Sequence, residues 1–229
     1  MKTVNQSKSI LWLGMAIGVL LDLALIGLSL LNYPSLLRPE SIFTVIFCVG
    51  LLFIYSCLGI GLPVRANSTA MIGLRQGTTF GLIIGGVFIV DISVEYFVNL
   101  GNQASTLSTL GFMALIFLLF AVASATGTQR TGRMYVGILA SLWSAMLGSI
   151  IAVFFGLAVN FLFLQRLEQI LASDYATSHI QNIQTFTFWN TLDSASSHLL
   201  EAPVLAIIFG TLGSLIVRGL KRYRSVAGR

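Results

Sequence analysis

Long apolar stretches separated by short polar connections make up most of this chain. Because a helix needs about 20 mainly apolar residues to cross the hydrocarbon core of a bilayer, each stretch is predicted to be a transmembrane helix. The sixth is short, and an earlier start for it is left open. The pattern predicts one all-α membrane domain over residues 1–229, with spans at about residues 10–31, 42–62, 78–98, 107–126, 134–164 and 203–217.

The fifth stretch and the segment after it depart from this simple pattern. Residues 134–164 exceed the length needed to cross, so this helix must tilt or project beyond the bilayer. Residues 165–201 are polar and mildly acidic, with apolar positions spaced by three at Ile180, Ile183, Phe186, Trp189 and Leu192. This spacing predicts a helix in the outer interface between spans five and six. An amphipathic cap packed on the bundle is the alternative.

Composition places the chain among membrane proteins. Its residues are 56% hydrophobic and only 9% charged, and its mean hydropathy is +0.90, whereas soluble domains carry about 25% charged residues. The two cysteines, Cys48 and Cys57, are nine residues apart and therefore point to opposite faces of one helix, so they cannot form a disulfide with each other. They are interpreted as packing residues.

The positive charges predict the orientation. Eleven of the 13 Lys and Arg residues lie in the N-terminal segment, the second and fourth connections and the tail 218–229. The positive-inside rule then places both termini in the cytoplasm and the protein in the cell membrane. We expect the basic tail to meet anionic lipid headgroups rather than nucleic acid, since no domain is present to display it to a nucleic acid.

Small residues at every fourth position predict where helices approach closely. The fifth span has the longest such series, at Ala140, Ser144, Gly148, Ala152 and Gly156, and the sixth has Ala202, Ala206, Gly210 and Ser214. These two helices are therefore predicted to pack antiparallel against each other. Shorter series lie in the first span, at Gly14 and Gly18, and in the third, at Gly77 and Gly81.

Three acidic residues lie inside predicted spans: Asp22 in the first, and Asp91 and Glu95 in the third. Asp91 and Glu95 are four residues apart and share one helix face with the glycines of that span. No Lys or Arg lies in any predicted span, and an unpaired carboxylate there costs about 3 kcal/mol on insertion scales. The acids are therefore protonated, or line a water-filled cavity, or bind a cation.

A functional interpretation makes Asp91 a central proton or cation ligand, Asp22 its partner from the first helix, and Glu95 the outer entrance. It predicts that Asp22 lies within about 10 Å of Asp91, one helix diameter. An outward polar path would be completed by Asn160, His198 and Glu201. In the structural alternative, a protonated acid makes hydrogen bonds across helices and holds the bundle together.

Catalytic signatures are missing from the sequence. It has no P-loop, no HExxH and no paired-aspartate motif of an intramembrane protease, so neither an enzyme, a metal centre nor a bound cofactor is predicted. Two function classes remain. The protein is a small permease, or a membrane subunit of a transporter that works with a partner subunit, or it is a non-catalytic membrane scaffold whose acids are structural.

Overall fold

The computed structural model is all-helical and describes residues 2–98 and 100–227, with side chains at 8–98, 100–101 and 103–223. Within these residues seven α-helices are joined by short connections, one of which holds a 3-10 turn at Pro34–Leu37. The helices are α1 (Lys2–Asn32), α2 (Ile42–Arg65), α3 (Ser68–Phe97), α4 (Asn102–Thr131), α5 (Met134–Ile170), α6 (Ala172–Thr177) and α7 (Ile183–Ala227). All but α6 are long and apolar enough to cross a membrane, which confirms the six predicted spans.

Successive long helices run in opposite directions, so alternate connections lie at the same end of the bundle. The two ends therefore differ in charge. At one end the Lys8 amino group donates to the Val64 carbonyl (3.1 Å) and the Lys221 amino group donates to the Gln129 carbonyl (3.2 Å). We call this the basic end, because it holds the basic connections. The opposite end, called the acidic end, holds the Trp189 indole, which donates to the Thr44 hydroxyl (3.0 Å). The tail beyond residue 227 lies outside the described residues.

The helix α5 forms the centre of the bundle. It packs against α1, α3, α4 and α7, and its spanning segment is the most buried of the six, at 50%. It extends to Ile170, but Phe163 leaves helical geometry (φ −130°, ψ 30°) and introduces a kink. The excess length seen in the sequence is therefore accommodated by a bend close to the predicted end of the span.

A glycine series brings α3 against α5. Its members are spaced by four at Gly73, Gly77, Gly81 and Gly85. A Cβ atom at Gly77 would lie 2.5 Å from the Ala140 carbonyl oxygen, and one at Gly81 would lie 2.8 Å from Leu147 Cβ. Only hydrogen atoms fit between these backbones, as expected of small-residue contacts in membranes.

The small residues of α5 pack against two neighbouring helices, whereas the prediction assigned them to one. The series containing Ala140 and Gly148 faces α3, where a Cβ at Gly148 would lie 2.7 Å from Ile84 Cγ2. The predicted antiparallel packing on α7 is present but begins on an adjacent stripe, where the Ser141 hydroxyl donates to the Ala206 carbonyl (2.8 Å). Because 3.6 residues make a turn, positions 140 and 141 are about 100° apart and meet different helices.

The other predicted packing glycines differ in their surroundings. A Cβ at Gly18 would lie 2.7 Å from Ile150 Cγ2, and one at Gly210 would lie 2.8 Å from Ser141 Cβ. Gly156 has ordinary contact with Thr191 at 3.6 Å, whereas Gly14 has nothing within 4 Å. Gly14 instead borders an apolar groove between α1, α3 and α5.

Residues 165–201 are distributed over three helices. They form the end of α5, the short α6 and the first half of α7. In α7 this half is continuous with the predicted sixth span, and Pro203 lies inside the helix. Phe186, Phe188 and Leu192 are buried, so this segment packs on the bundle and lengthens the spanning helix towards the acidic end.

Candidate functional site

Asp91 and Glu95 lie one turn apart on α3, towards the acidic end, and line three adjoining cavities. The first cavity has a volume of about 350 Å³ and opens between α3, the start of α4 and the end of α5. Its polar lining includes Ser108, Arg166 and Gln169. This opening connects both carboxylates with the surface of the bundle.

The second cavity is a narrow cleft of about 50 Å³ between α3, α5 and α7. Thr191, Ser194 and His198 line its α7 side, and Gly156 contributes part of its α5 side. The cleft extends the acidic site from α3 towards the central helix.

The third cavity, of about 180 Å³, lies between α3, α4 and α7. Its polar side consists of Asp91, Glu95, Thr109, His198 and Glu201. The opposite side is apolar and is formed by Phe88, Met113, Ile116, Phe117, Phe120, Ala202 and Leu205. Two carboxylates from α3 thus share one space with a third from α7.

His198 is held between the second and third cavities. Its ring packs edge-on to Phe88, with centroids 5.1 Å apart and planes at 64°. Its backbone carbonyl accepts a hydrogen bond from the Ser149 hydroxyl (3.3 Å). Glu201, one turn further along α7, is exposed and is the charged neighbour of the imidazole. The structure therefore brings His198 and Glu201 to the site of Asp91 and Glu95.

Asn160 lies behind the wall of the second cavity. It is fully buried, and its Nδ2 atom donates to the hydroxyl of Thr191, which lines that cavity. Its Oδ1 atom has no hydrogen-bond partner among the described residues. Asn160 therefore contacts the site through Thr191 and does not itself line any of these three cavities.

Asp22 lies elsewhere, in the core formed with α2 and α5. It is fully buried, and within the described part of the chain neither carboxyl oxygen has a hydrogen-bond partner. It is the charged neighbour of the buried Cys48 thiol and lines none of the three cavities. Asp22 is therefore not among the residues that line the acidic cavities with Asp91, and the helix that carries it packs mainly on α2 and α5.

The α4 side of the site was missed by the sequence analysis. Met113, Phe117 and Phe120 share one face of α4 at spacings of three and four, a signal that the sequence contains. In an uncharged span such a face is indistinguishable from one that contacts lipid. Arg166 lies beyond the predicted fifth span, and the end of α5 brings it to the first cavity.

The arrangement suits a proton or a cation. Asp91 is the charged neighbour of Glu95, and Glu201 adds a third negative charge at the same cavity. Ionised carboxylates that line one cavity repel one another, and a bound proton or cation relieves this repulsion. Among the described residues no three His, Cys, Asp or Glu side chains converge as ligands for a metal ion.

Comparison with known proteins finds no matching family model, no matching curated protein and no matching solved structure. The class of this protein therefore has to be described from its fold and its cavities. The described residues form a multi-pass, all-α fold with six helices able to cross a membrane and an acidic set of cavities between four of them.

Proposed function

We propose that the protein is a small permease, or the membrane subunit of a transporter, that binds a proton or a cation at Asp91 and Glu95. One observation carries the proposal: both carboxylates line all three cavities that adjoin between α3, α4, α5 and α7. Acidic residues inside spanning helices are costly, and typically face a pathway or a bound ion.

The distribution of charge supports an orientation in the membrane, and therefore the side to which the cavities open. The basic connections lie at one end of the bundle, and none of the eight Asp and Glu residues belongs to them. By the positive-inside rule the basic end faces the cytoplasm and the cavities open outward at the cell surface. A solute would then reach Glu95 before Asp91 along α3.

The degree of burial also supports binding over a purely structural role. Asp91 is partly exposed and Glu95 is exposed, and both border an open cavity of about 350 Å³. A carboxylate that only joins helices would be expected to accept hydrogen bonds from neighbouring side chains. These two line the open first cavity, so water, a proton or a cation can reach them.

The test compares conservative variants in two assays. Asp91→Asn and Glu95→Gln remove charge with little change in volume, and Asp174→Asn is the matched control, since Asp174 is exposed on α6. We expect Asp91→Asn and Glu95→Gln to reduce cation-linked proton release from purified protein, and flux into proteoliposomes, by roughly tenfold, because a charge-assisted contact corresponds to about that factor.

The proton-release assay measures cation binding and needs only this chain. It therefore also tests a protein whose flux requires a partner subunit. Folded yield and thermal unfolding in detergent are measured in parallel. The proposal would be contradicted if Asp91→Asn and Glu95→Gln both showed the same proton release and the same flux as the wild type. Loss of folded protein in these variants, with no release or flux from the wild type, would support a scaffold with structural acids.

A further inference from the structure

The third cavity has two chemically different halves. Its apolar half is deep: Phe88, Ile116 and Phe120 are 5%, 5% and 0% exposed. Its polar half carries the carboxylates of Asp91 and Glu95, and that of Glu201 from the facing helix. A bare inorganic cation would use only the second half, because apolar side chains offer it no ligand.

The aromatic walls of the apolar half are held in place by their own neighbours. Phe117 stacks on Phe209 with centroids 4.5 Å apart and planes at 11°. Phe88 packs edge-on to His198 at 5.1 Å. Rings held in this way present fixed faces, and the face of an aromatic ring attracts a cation placed over it.

Acidic side chains predominate among the ionisable groups around this cavity. The ionisable side chains that line it are Asp91, Glu95, Glu201 and His198. Arg166 lines the first cavity but not the third. An anionic ligand would therefore meet three carboxylates here, whereas a cationic one finds complementary charge.

The size of the cavity limits the ligand. Its volume of about 180 Å³ corresponds to about six water molecules and is below the usual range for drug-sized ligands. A small body with one positive group fills both halves, whereas a large lipophilic cation does not fit.

We infer that the third cavity binds a small organic cation, with its ammonium group at Asp91, Glu95 and Glu201 and its apolar body against Phe88, Ile116 and Phe120. This inference rests on the proposed function, for which it names the class of solute. The buried Asn160 Oδ1 atom, which has no hydrogen-bond partner among the described residues, lies behind the neighbouring cleft and does not take part.

The experiment uses the full chain in lipid nanodiscs and isothermal titration calorimetry, with empty nanodiscs to subtract partitioning into lipid. Three probes are compared: phenethylammonium chloride, the neutral analogue 2-phenylethanol, and sodium chloride. We expect phenethylammonium to bind at least roughly tenfold more tightly than 2-phenylethanol, since only the cation makes the charge-assisted contact.

Two variants test the two halves separately. Glu201→Gln should weaken phenethylammonium binding by roughly tenfold, and Phe117→Ala should weaken it by roughly three- to tenfold, from the lost ring face and apolar contact. The matched controls are Asp193→Asn, an exposed acid on the same helix, and Phe53→Ala, an exposed ring on α2. Both controls should bind the probe as the wild type does.

The outcomes separate this inference from the proposed function. Equal binding of phenethylammonium and 2-phenylethanol to the wild type, or unchanged binding in both cavity variants, overturns the inference, and this comparison of probes needs no variant to fold. Binding of sodium or cation-linked proton release without any phenethylammonium binding overturns the inference but leaves the proposed function standing. Absence of all three signals overturns both.

Discussion

Substitution of Gly77 by alanine tests whether the α3–α5 contact organises the bundle. The added Cβ atom would lie 2.5 Å from the Ala140 carbonyl oxygen and 2.9 Å from Trp143 Cβ. Carbon–oxygen contacts between helices are normally about 3.3–3.6 Å, so the backbones must separate by several tenths of an ångström or more. A backbone carbonyl cannot rotate away as a side chain can, and the strain therefore falls on the helix pair.

The matched control is Gly86→Ala on the same helix, since Gly86 is exposed and has nothing within 4 Å. Both variants receive the same gain in helix propensity, about 1 kcal/mol in water. The difference between them therefore isolates the close approach. Forcing an extra carbon into a packed interface costs about 1–3 kcal/mol, so Gly77→Ala should be less stable than Gly86→Ala by about this amount.

Reversible unfolding in mixed micelles with increasing SDS measures this difference, followed by helical circular dichroism and tryptophan fluorescence. Trp143, one of the three tryptophans, is buried beside Gly77, so tryptophan fluorescence includes the emission of a residue at this contact. Equal free energies of unfolding for the two variants would refute the argument that α3 and α5 require glycine where they meet.

Three further predictions concern the core and the orientation. Asp22→Leu should leave the free energy of unfolding unchanged or raise it by about 1–3 kcal/mol, since it removes two buried oxygens that have no hydrogen-bond partner within the described part of the chain; a loss of stability relative to Asp22→Asn would contradict this. Ser214→Ala should lower the free energy of unfolding by about 1–2 kcal/mol, because the Ser214 hydroxyl is hydrogen-bonded to those of Ser124 (2.7 Å) and Thr128 (2.7 Å). Its control is Thr211→Ala, which removes a hydroxyl that bonds within its own helix and should change the free energy of unfolding by less than about 0.5 kcal/mol. In a chain without Cys48 and Cys57, a membrane-impermeant maleimide added to intact cells should label Thr177→Cys and not Gln129→Cys; the reverse result would invert the proposed orientation.

The sequence alone determined the class, the six spans and the shared face of Asp91 and Glu95. A crossing helix needs about 20 apolar residues, and each helix satisfies its own backbone hydrogen bonds within the bilayer. Both requirements are local, so a single stretch of chain shows them. The spacing of two side chains on one helix is equally local, since it follows from 3.6 residues per turn.

Only the tertiary structure decided which helices meet. Lipid is as apolar as a neighbouring helix, so an apolar face does not reveal its partner. For this reason the series at Ala140 and Gly148 was assigned to α7, although it packs on α3, and the aromatic face of α4 at Phe117 carried no sign of the cavity it lines. The sequence predicted that Asp22 lies near Asp91, but the position of a residue along its own helix does not show which neighbour it faces around the bundle. In the structure Asp22 is the charged neighbour of Cys48 on α2 and lines none of the three acidic cavities.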